Sequence, residues 1–568
     1  MIDTGSSASP YPDAPNPDLL ERIPQTARVV LDIGCGTGAL GAAYRRLNPR
    51  AVLLGIERDE AAARLAASRL DQVMLDDIET APLPAAWRGR VDCLIYGDVL
   101  EHLRQPEAVL RRHLAALAPG GVVLACVPNV EHWSFLDRLL RGGWRYEAQG
   151  LFDRTHLRWF TRQGMADLLD GVGLAPLDAA PRVFAPERAE RFVADLAPAL
   201  PAFGVGGSDL AERTRPLQYV WRAQTAPAEP LHLVLTMLAP VGGVSEVRVL
   251  EPLRALASEP GVVVHLWNGR EPLPIPQDAA RLLILHRPAL VGGEGLQTVR
   301  AALARGFVIV TEFDDHPDFI PVLQRPDMYN FSAVHAVQTT TAALAAVLRA
   351  RNPELAAFPN AVRALAEPRN FLPENPLTLF FGALNRERDW PPYLDALNAL
   401  GAEFGPRLRF AIVHDHGLFE RLESPYKSFA PTLEYAAYRD TLARAELSFM
   451  PLTDTAFNRC KSDLKFLEAA AHRVAAVASP TVYGETIRHG ENGFLVPDGA
   501  ALQTVVRALV AEPERARRAA ETARRQVEER RMLAYQVEAR VAWYRSLWQR
   551  RGSLTEALLA RVPELRLP

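Results

Sequence analysis

The chain has 568 residues, with 48% hydrophobic residues, 23% charged residues and a formal net charge of -3. This length exceeds what one hydrophobic core supports, so we expect roughly three or four domains. The near-neutral charge excludes a general nucleic-acid-binding role, and no apolar run approaches the roughly 20 residues that span a bilayer. Four widely spaced cysteines without a CxxC pair predict neither a disulfide framework nor a metal site, and the N-terminus lacks an apolar signal segment. Both features favour a cytoplasmic location.

From residue 28 onward, short β-rich runs alternate with Ala-, Leu- and Arg-rich helical runs. Apolar runs without alternation are typical of strands buried on both faces of a parallel sheet. A first series closes near 216–223 (PLQYVWRA) and is followed by a Pro/Ala segment. A second series follows directly, and a third begins after FPNAV (358–362). Each of these two series predicts a Rossmann-type half.

The fold class that follows is α/β, with an N-terminal Rossmann-like domain followed by a two-Rossmann module. The predicted boundaries are 1–224 for the first domain, 225–230 for a linker, 231–360 and 361–510 for the two halves, and 511–568 for a C-terminal helical return segment. The Arg/Glu-rich composition of the return segment predicts a solvated helical face. The first half is short, which leaves open a binding-only domain.

A glycine-rich turn follows the first predicted strand, in the sequence LDIGCGTG. Gly34, Gly36 and Gly38 would let the chain turn sharply and let a ligand lie against the backbone. Glu57 ends the next predicted strand, 19 residues after Gly38, where a carboxylate can accept hydrogen bonds from two ribose hydroxyls. The pattern predicts a nucleoside-binding cleft.

Two further segments contribute polar residues to this cleft. Asp77 and Ile78 in LDDIET are placed to meet an adenine edge. The buried run VDCLIYGDVLEHL (91–103) brings Asp98, Glu101 and His102 to the carboxyl edge of the sheet, where open α/β sheets bind ligands. Asp98 could instead cap the helix that follows.

The GxGxG pattern of residues 34–38, with Asp32 just upstream, resembles motif I of class I S-adenosylmethionine-dependent methyltransferases. Residues 139–161 are similar to the branch associated with sugar and cell-surface polysaccharide methylation, and the resemblance covers about residues 10–223. It implies S-adenosyl-L-methionine as the cofactor. It also implies that Asp32 and the three glycines hold the methionine part, Glu57 the ribose and Asp77 the adenine.

Methyl transfer is an in-line substitution at a sulfonium, so the enzyme positions the reacting groups and removes one proton. Candidate bases are His102, His132 and His156, and we place His156 in DRTHLRWF first. A histidine in such a position can also serve only in packing or capping.

Two consecutive Rossmann-type halves with a returning C-terminal helix resemble the GT-B architecture of glycosyltransferases. Such enzymes generally need no metal, because basic side chains and helix N-termini neutralise the leaving diphosphate. Gly242 and Gly243, in the loop 239–252, precede a predicted helix and could bring amides to a phosphate. Arg386 and Arg388 follow the first strand of the second half and resemble the basic pair of retaining family 4 glycosyltransferases.

Residues 458–498 resemble the donor-binding segment of that family. Glu468 matches the second Glu of its E-x7-E pattern, which binds the donor ribose, whereas Cys460 replaces the first Glu. Only three of the 64 basic residues are lysines, and Lys461 and Lys465 both lie here. A compact ammonium suits a phosphate, although both could be ordinary solvated lysines.

LLILHRP and TEFDDHPDF end predicted strands of the first half at the cleft. His286, Asp315 and His316 are therefore acceptor-side candidates, of which we expect His286 and Asp315 to be catalytic. Asp314 and Asp315 are adjacent acids at a strand end, and such acids cap the next turn more often than they bind a metal.

Together these motifs predict a bifunctional enzyme of cell-surface glycan biosynthesis. It would methylate a sugar and transfer a sugar from a nucleotide-sugar donor to a glycan or lipid-linked glycan. No nucleic acid partner is expected, and the absence of a predicted transmembrane segment leaves room for peripheral membrane contact. One alternative is a methyltransferase with a non-catalytic GT-B-like module for glycan binding or scaffolding, which Cys460 favours. Another keeps both activities for tailoring a small glycosylated metabolite.

Overall fold

The computed structural model describes residues 11, 13–237, 242–268, 273–367 and 376–566. Residues 239–241, which begin the predicted glycine loop 239–252, lie outside the described residues, as do residues 1–10. The chain divides into two compact units, the first with residues 1–229 and 257–261, the second with residues 230–256 and 262–568. Each unit is built on largely or wholly parallel sheets with flanking helices, which confirms the predicted α/β class.

The first unit has one seven-stranded sheet. Its strands are β1 (Val29–Ile33), β2 (Val52–Glu57), β3 (Gln72–Leu75), β4 (Val91–Gly97), β5 (Leu117–Pro128), β6 (Ala175–Val183) and β7 (Pro216–Gln224). They are ordered β3-β2-β1-β4-β5-β7-β6, and β7 alone runs antiparallel to its neighbours. The central strands β1 and β4 are buried on both faces, which explains their unbroken apolar sequences.

Eight helices of the described chain surround this sheet. They are α1 (Pro17–Leu20), α2 (Ala39–Leu47), α3 (Glu60–Ala67), α4 (Pro106–His113), α5 (Trp133–Leu140), α6 (Arg162–Gly171), α7 (Pro186–Leu196) and α8 (Gly207–Thr214). Leu168 and Leu169 of α6 pack with Leu94 of β4 in the main core. The carboxyl ends of β1, β4 and β5 therefore meet at one edge of a rigid sheet, which is the edge where the predicted cofactor residues lie.

The second unit has two six-stranded sheets in which every strand pair is parallel. The first contains β8 (Leu231–Met237), β9 (Val262–Leu266), β10 (Ala280–His286), β11 (Val308–Glu312), β12 (Ala336–Thr339) and β13 (Leu355–Ala357), ordered β13-β12-β11-β10-β8-β9. The second contains β14 (Leu377–Gly382), β15 (Leu408–Val413), β16 (Lys427–Ala430), β17 (Leu447–Met450), β18 (Ala475–Ala478) and β19 (Phe494–Leu495), ordered β16-β15-β14-β17-β18-β19. The unit thus has the two Rossmann-type halves that the sequence predicts.

The helices of this unit include a C-terminal group that returns to the first half. They are α9 (Gly242–Ser245), α10 (Glu251–Ala257), α11 (Gly292–Ala304), α12 (Ala342–Arg349), α13 (Leu394–Phe404), α14 (His416–Arg421), α15 (Tyr435–Leu442), α16 (Ala456–Arg459), α17 (Leu464–Ala471), α18 (Gly499–Ala511), α19 (Pro513–Arg530), α20 (Ala534–Gln549) and α21 (Arg551–Arg561). Val537 and Tyr544 of α20 pack in the core under β8 and β10, and Leu558 of α21 packs in the core around β11. In the part of the chain that the structure describes, no helix is both long and apolar enough to cross a membrane.

Candidate active sites

The glycine turn after β1 requires glycine for two reasons. Gly34, Gly36 and Gly38 have φ values of 70°, 53° and 74°, in the left-handed region that strains other residues. A Cβ atom on Gly34 would lie 2.8 Å from Val99, and one on Gly38 would lie 3.0 Å from the backbone of Ala66. The turn therefore leaves no room for side chains on these two glycines, and it leads directly into α2.

Glu57, at the end of β2, is held beside this turn by backbone amides. It is buried, and it accepts hydrogen bonds from the N–H groups of Gly36 at 2.9 Å, Arg58 at 2.9 Å and Asp59 at 2.8 Å. The Tyr11 hydroxyl donates a weaker bond to the same carboxylate at 3.4 Å. These bonds fix the position of the carboxylate beside the glycine turn.

Asp32, in β1, is only 7% exposed, and no group in the described chain donates a hydrogen bond to its carboxylate. Burial, assisted by the negative charge of Glu57, raises the pKa of Asp32 to about 7. A buried carboxylate without a partner is costly, and a cationic ligand group would offset that cost. Asp32 is therefore suited to a ligand ammonium.

The remaining predicted cofactor residues lie along the same edge of the sheet. Asp77 is exposed and accepts a hydrogen bond at 2.9 Å from the backbone two residues later, while Ile78 is half-buried against the core. Asp98 follows β4 with a φ of 55° and accepts a hydrogen bond from the Gln218 side chain. The interpretation of Asp98 as a helix cap is wrong, because Val99 is the N-cap of the next turn.

A buried acid and two imidazoles form a cluster just beyond Asp98. Glu101 is 1% exposed, and neither of its carboxylate oxygens has a hydrogen-bond partner in the described chain. The rings of His102 and His156 are 4.9 Å apart, and one ligand atom from each of the three residues lies within 4.8 Å of the others. Burial and the nearby Asp98 raise the pKa of Glu101 well above its usual value.

His156 is suited to accept a proton in this cluster. Burial, together with the charge of His102, lowers the pKa of His156, so its imidazole is neutral at pH 7. His102 is oriented by the Thr155 hydroxyl at 3.0 Å from its Nδ1 atom. Among the described residues, one group has ligand atoms close enough together to hold a metal ion, and it consists of Glu101, His102 and His156. Transition metals accept such a combination of one carboxylate and two imidazoles.

In the second unit, a charge network joins the two halves. Lys461 pairs with Asp315, and Arg287 donates to Asp315 and to Asp314, each at 2.8 Å. Burial alone would raise the pKa of Asp315, but Lys461 and Arg287 lower it below its usual value. The two acids bind cations, so the interpretation of this pair as caps of the next turn is wrong.

Glu468, in α17, is buried within a second network. It accepts hydrogen bonds from the hydroxyls of Tyr435 at 3.0 Å and Tyr438 at 3.2 Å, and from the Lys465 ammonium at 3.0 Å. Lys465 also lies 2.8 Å from the Tyr438 hydroxyl. Lys461 and Lys465 both contact acids and are no more than about a third exposed, so neither is an ordinary solvated lysine.

The other predicted donor-side residues surround these networks. Gly242 begins α9, and a Cβ atom on Gly243 would lie 3.1 Å from the Tyr435 ring. Arg386 makes a long ion pair of 3.4 Å with the acid three residues later and contributes to the field at Asp315. Arg388 is exposed, and no partner of its guanidinium is present among the described residues.

Cys460 does not take the place of the missing glutamate. Its side chain is 7% exposed and belongs to the hydrophobic core with Leu558 and Phe331. A thiol in this position cannot contact a donor sugar without leaving that core.

His286 ends β10 and is 2% exposed, with no hydrogen-bond partner for either ring nitrogen in the described chain. Burial lowers its pKa to about 4, so the ring is neutral at pH 7. His316, by contrast, accepts a hydrogen bond at 3.3 Å from the N–H of Asp318 and caps a short turn. His286 is therefore the better placed of the two for ligand chemistry.

Residues with strained backbone conformations follow the carboxyl ends of strands in all three sheets. Of the seven non-glycine residues with positive φ in the described ranges, six follow the carboxyl end of a strand within four residues. Such strain is concentrated at functional sites. The six residues are Asp98, Ala185, Arg287, Asn385, His414 and Val482.

Sequence reasoning did not single out several of these contributors. Tyr435 and Tyr438 lie three residues apart on one helix face, a spacing that brings side chains together. Arg287 directly follows a predicted strand, which was a usable signal. Tyr11, which reaches Glu57 from 46 residues away, had no sequence signal.

Comparisons with known proteins identify two domains. Residues 11–179 match the family described as methyltransferase domain, and residues 375–512 match the glycosyl transferases group 1. A ubiquinone biosynthesis O-methyltransferase of Cereibacter sphaeroides is 30% identical over 174 residues, covering 30% of this chain and 69% of that protein. A trans-aconitate 2-methyltransferase of Deinococcus radiodurans is 32% identical over 186 residues, covering 30% of this chain and 68% of that protein.

Two solved structures are also similar to this chain. Anabaena HepE in complex with UDP and glucose is 13% identical, with 56% of this chain and 100% of that chain covered and a TM-score of 0.40. An S-adenosylmethionine-dependent methyltransferase from Mesorhizobium loti is 19% identical, with 36% of this chain and 95% of that chain covered and a TM-score of 0.25.

Proposed function

Because the chain belongs to the class I S-adenosylmethionine-dependent methyltransferases and also carries a group 1 glycosyl transferase domain, we propose that it is a bifunctional enzyme of cell-surface glycan biosynthesis. The first domain would methylate a sugar hydroxyl with S-adenosyl-L-methionine. The second would transfer a sugar from a nucleotide-sugar donor to a glycan or lipid-linked glycan. The observation that carries the proposal is the presence of both domains in one chain, since a fused glycosyl transferase suggests a sugar as the methyl acceptor and raises its local concentration.

The proposed cofactor site uses the carboxylates described above. Asp32 would pair with the ammonium of the methionine part, and Glu57 would accept hydrogen bonds from the ribose hydroxyls. Asp77 and Ile78 would contact the adenine from the exposed end of β3. Asp98 would close the cleft at the end of β4, where Gln218 orients its carboxylate.

The proposed chemistry requires one proton acceptor. When bound, S-adenosyl-L-methionine would supply an electrophilic methyl group to a sugar hydroxyl and would leave as the neutral thioether S-adenosylhomocysteine. His156 would accept the hydroxyl proton, because its imidazole is neutral at pH 7. Glu101 and His102 would lie beside the resulting imidazolium.

In the glycosyl transferase domain we propose that basic side chains hold the donor diphosphate. Lys461 and Lys465 would exchange part of their contact with acids for the phosphate oxygens, joined by Arg386 and Arg388. The amides of Gly242 and Gly243 would add donors at the start of α9.

Two acids and one imidazole complete the proposed transferase site. Glu468 would bind the donor ribose, in competition with Tyr435 and Tyr438. His286 would face the reacting sugar as a neutral hydrogen-bonding group, and Asp315 would hold the cations that surround the diphosphate.

Mass spectrometry of ligands that copurify with the full chain tests the proposal most directly. We expect S-adenosylhomocysteine or S-adenosylmethionine in one cleft and a nucleoside diphosphate or nucleotide sugar in the other. In activity assays, Glu57→Gln should lower methyl transfer alone and Glu468→Gln should lower sugar transfer alone. Retention of both activities in both variants would contradict the site assignments.

A second candidate function has one specific observation in its favour. Cys460 replaces a family glutamate and is buried in the core, so the second domain lacks one expected sugar contact. Under this alternative the domain binds glycan without transferring sugar. Calorimetric titration with UDP, GDP and ADP separates the two functions, since a non-catalytic module would bind none of them.

A further inference from the structure

A cavity of the first unit lies near the carboxyl ends of β5 and β6. Its volume is about 420 Å³, and residues of α5, α7 and β7 contribute to its lining. Leu217 belongs to the lining, and the next residue, Gln218, donates a hydrogen bond to Asp98 at the end of β4. The cavity therefore lies at the edge of the sheet that also carries the proposed cofactor residues. The lining residues used below are His132, Trp133, Arg138, Phe184 and Arg188.

The cavity lies at the start of two helices. His132 is the N-cap of α5, and Ala185, with a strained φ of 49°, is the N-cap of α7. The amides and dipoles at helix N-termini attract anions. Arg188, in the first turn of α7, is exposed and makes no ion pair with any described residue. An available guanidinium and two helix starts therefore give the cavity a positive field.

Most acidic groups near the cavity are already paired. Asp137, which itself lines the cavity, accepts two hydrogen bonds from Arg141, at 2.9 Å and 3.0 Å. Glu147 pairs with Arg138 at 2.7 Å. Glu187 is the one acid in the first turn of α7, and it is exposed. The two ion pairs cancel their own charges. Glu187 lies outside the lining whereas Arg188 belongs to it, so the guanidinium of Arg188 is the uncompensated charge that faces a ligand in the cavity.

Neutral polar and aromatic groups complete the lining. His132 is 5% exposed, and its Nε2 atom has no hydrogen-bond partner in the described chain. Burial lowers its pKa to about 4, so the ring is a neutral partner for a hydroxyl group. Trp133 and Phe184, the latter 51% exposed, offer aromatic surface that can pack against the C–H face of a sugar ring.

We propose that this cavity binds the methyl acceptor and that the acceptor is a sugar ring bearing an anionic substituent, either a carboxylate or a phosphate. The aromatic side chains contact the ring, His132 contacts a hydroxyl, and Arg188 with the two helix starts binds the anion. This inference rests on the proposed methyltransferase function and adds to it the charge class of the acceptor.

Calorimetry on the full chain saturated with S-adenosylhomocysteine tests the inference with three probes, glucuronate, glucose 6-phosphate and glucose. We expect at least one anionic probe to bind about tenfold or more tightly than glucose, as a charge-assisted contact would give. The tighter of the two anionic probes identifies the substituent. Arg188→Gln should reduce the affinity of that probe to within about threefold of glucose.

Arg191→Gln provides the matched control, because Arg191 is an exposed arginine of the same helix outside the lining. It should leave all three affinities unchanged. Phe184→Ala should weaken anionic and neutral probes by similar factors, which separates the ring contact from the anion contact.

Equal affinity for the three probes, no binding of any probe, or equal effects of the Arg188 and Arg191 variants would overturn the inference. Binding of S-adenosylhomocysteine is measured first in the same samples. If S-adenosylhomocysteine does not bind, the proposed methyltransferase function is contradicted. If it binds but the anionic probes bind no more tightly than glucose, only the proposed class of acceptor is contradicted.

Discussion

The buried acids of the two candidate clefts differ in whether the protein itself supplies them with hydrogen-bond partners. In the first unit, Asp32 and Glu101 are buried, no described residue donates a hydrogen bond to their carboxylates, and their pKa values are raised. In the second unit, Asp315 and Glu468 are surrounded by cations and hydroxyls of the chain itself. The first cleft therefore contains two carboxyl groups, of Asp32 and Glu101, that a ligand could pair with directly. In the second cleft a ligand must first replace the internal partners of Asp315 and Glu468.

This difference indicates how ligand binding should respond to mutation in each cleft. A ligand that contacts an unpaired acid breaks no internal hydrogen bond of the protein. Removing such an acid should therefore change the affinity for the ligand strongly. A site with internal pairs gains only the difference between the ligand and the displaced partner. We expect larger effects in the first cleft than in the second.

The largest effect should come from His156→Asn, which would remove the proposed base. Methyl transfer to a sugar acceptor should fall by about 10²- to 10³-fold, a usual cost for losing general-base catalysis. Affinity for S-adenosylhomocysteine, measured by calorimetry, should not change. His416→Asn, an exposed histidine of the second unit, is the control. A parallel loss of cofactor affinity would instead assign His156 a structural role.

Glu57→Gln should weaken S-adenosylhomocysteine binding by about 10²-fold. The amide that replaces the carboxylate would turn donors toward the backbone N–H groups that now bind it, and charged hydrogen bonds are worth about 1.5–3 kcal/mol each. Calorimetry measures the change, with the exposed Glu60→Gln as the control. An unchanged dissociation constant would remove Glu57 from the cofactor site.

Lys465→Met tests the second cleft and should weaken binding of a nucleoside diphosphate by about tenfold. The effect should be modest, because the lysine already pairs with Glu468 at 3.0 Å and a phosphate would only replace that contact. Arg444→Met, an exposed basic residue that precedes β17 at the opposite edge of the sheet, should have no effect. A loss as large as that of Glu57→Gln would break the contrast between the two clefts.

Affinity for S-adenosylhomocysteine should depend on pH through Asp32. Because burial and Glu57 raise its pKa to about 7, the carboxylate is largely protonated below that pH and cannot pair with the ligand ammonium. The dissociation constant should therefore rise about tenfold per pH unit below 7 and level off above it. Asp32→Asn should bind weakly at every pH, and a pH profile that survives in this variant would assign the titration elsewhere.

The smallest expected effect is on stability. The folded-state pKa of Asp32 lies above its ordinary value of 3.8, so the free energy of unfolding of the ligand-free protein falls as pH rises from about 4 to 7. Asp32→Asn removes this cost and should raise the melting temperature of the first unit by several degrees at pH 8. At pH 4 the variant and the parent should unfold at nearly the same temperature, and a difference there would contradict the assigned pKa.

The central strands and the local motifs could be predicted from sequence because their signals are contiguous. The strands that the patterns did not predict are β3, β6, β13 and β16, and all four lie at sheet edges. Edge strands are partly exposed, so they lack the unbroken apolar runs of central strands. Partial exposure at the sheet edge is therefore the physical reason why the apolar pattern does not predict these four strands.

The candidate sites divide in the same way. The glycine turn and Glu57 lie within 24 residues of each other, and their arrangement follows from one strand–turn–helix unit. The pair between Lys461 and Asp315 spans 146 residues and depends on how the two halves fold around their sheets. The burial of Cys460 in the core likewise depends on packing partners that its neighbours in the sequence do not reveal.

The return of α20 and α21 to the first half of the second unit also determines the order in which that unit can fold. The ribosome synthesises β8–β13 early, but their cores include Tyr544 and Leu558, which are translated after the entire second half. The first half should therefore remain incompletely packed until the last two helices have been synthesised. A nonsense mutation near residue 530 would leave the donor-side sheet intact and unfold the half that was made first.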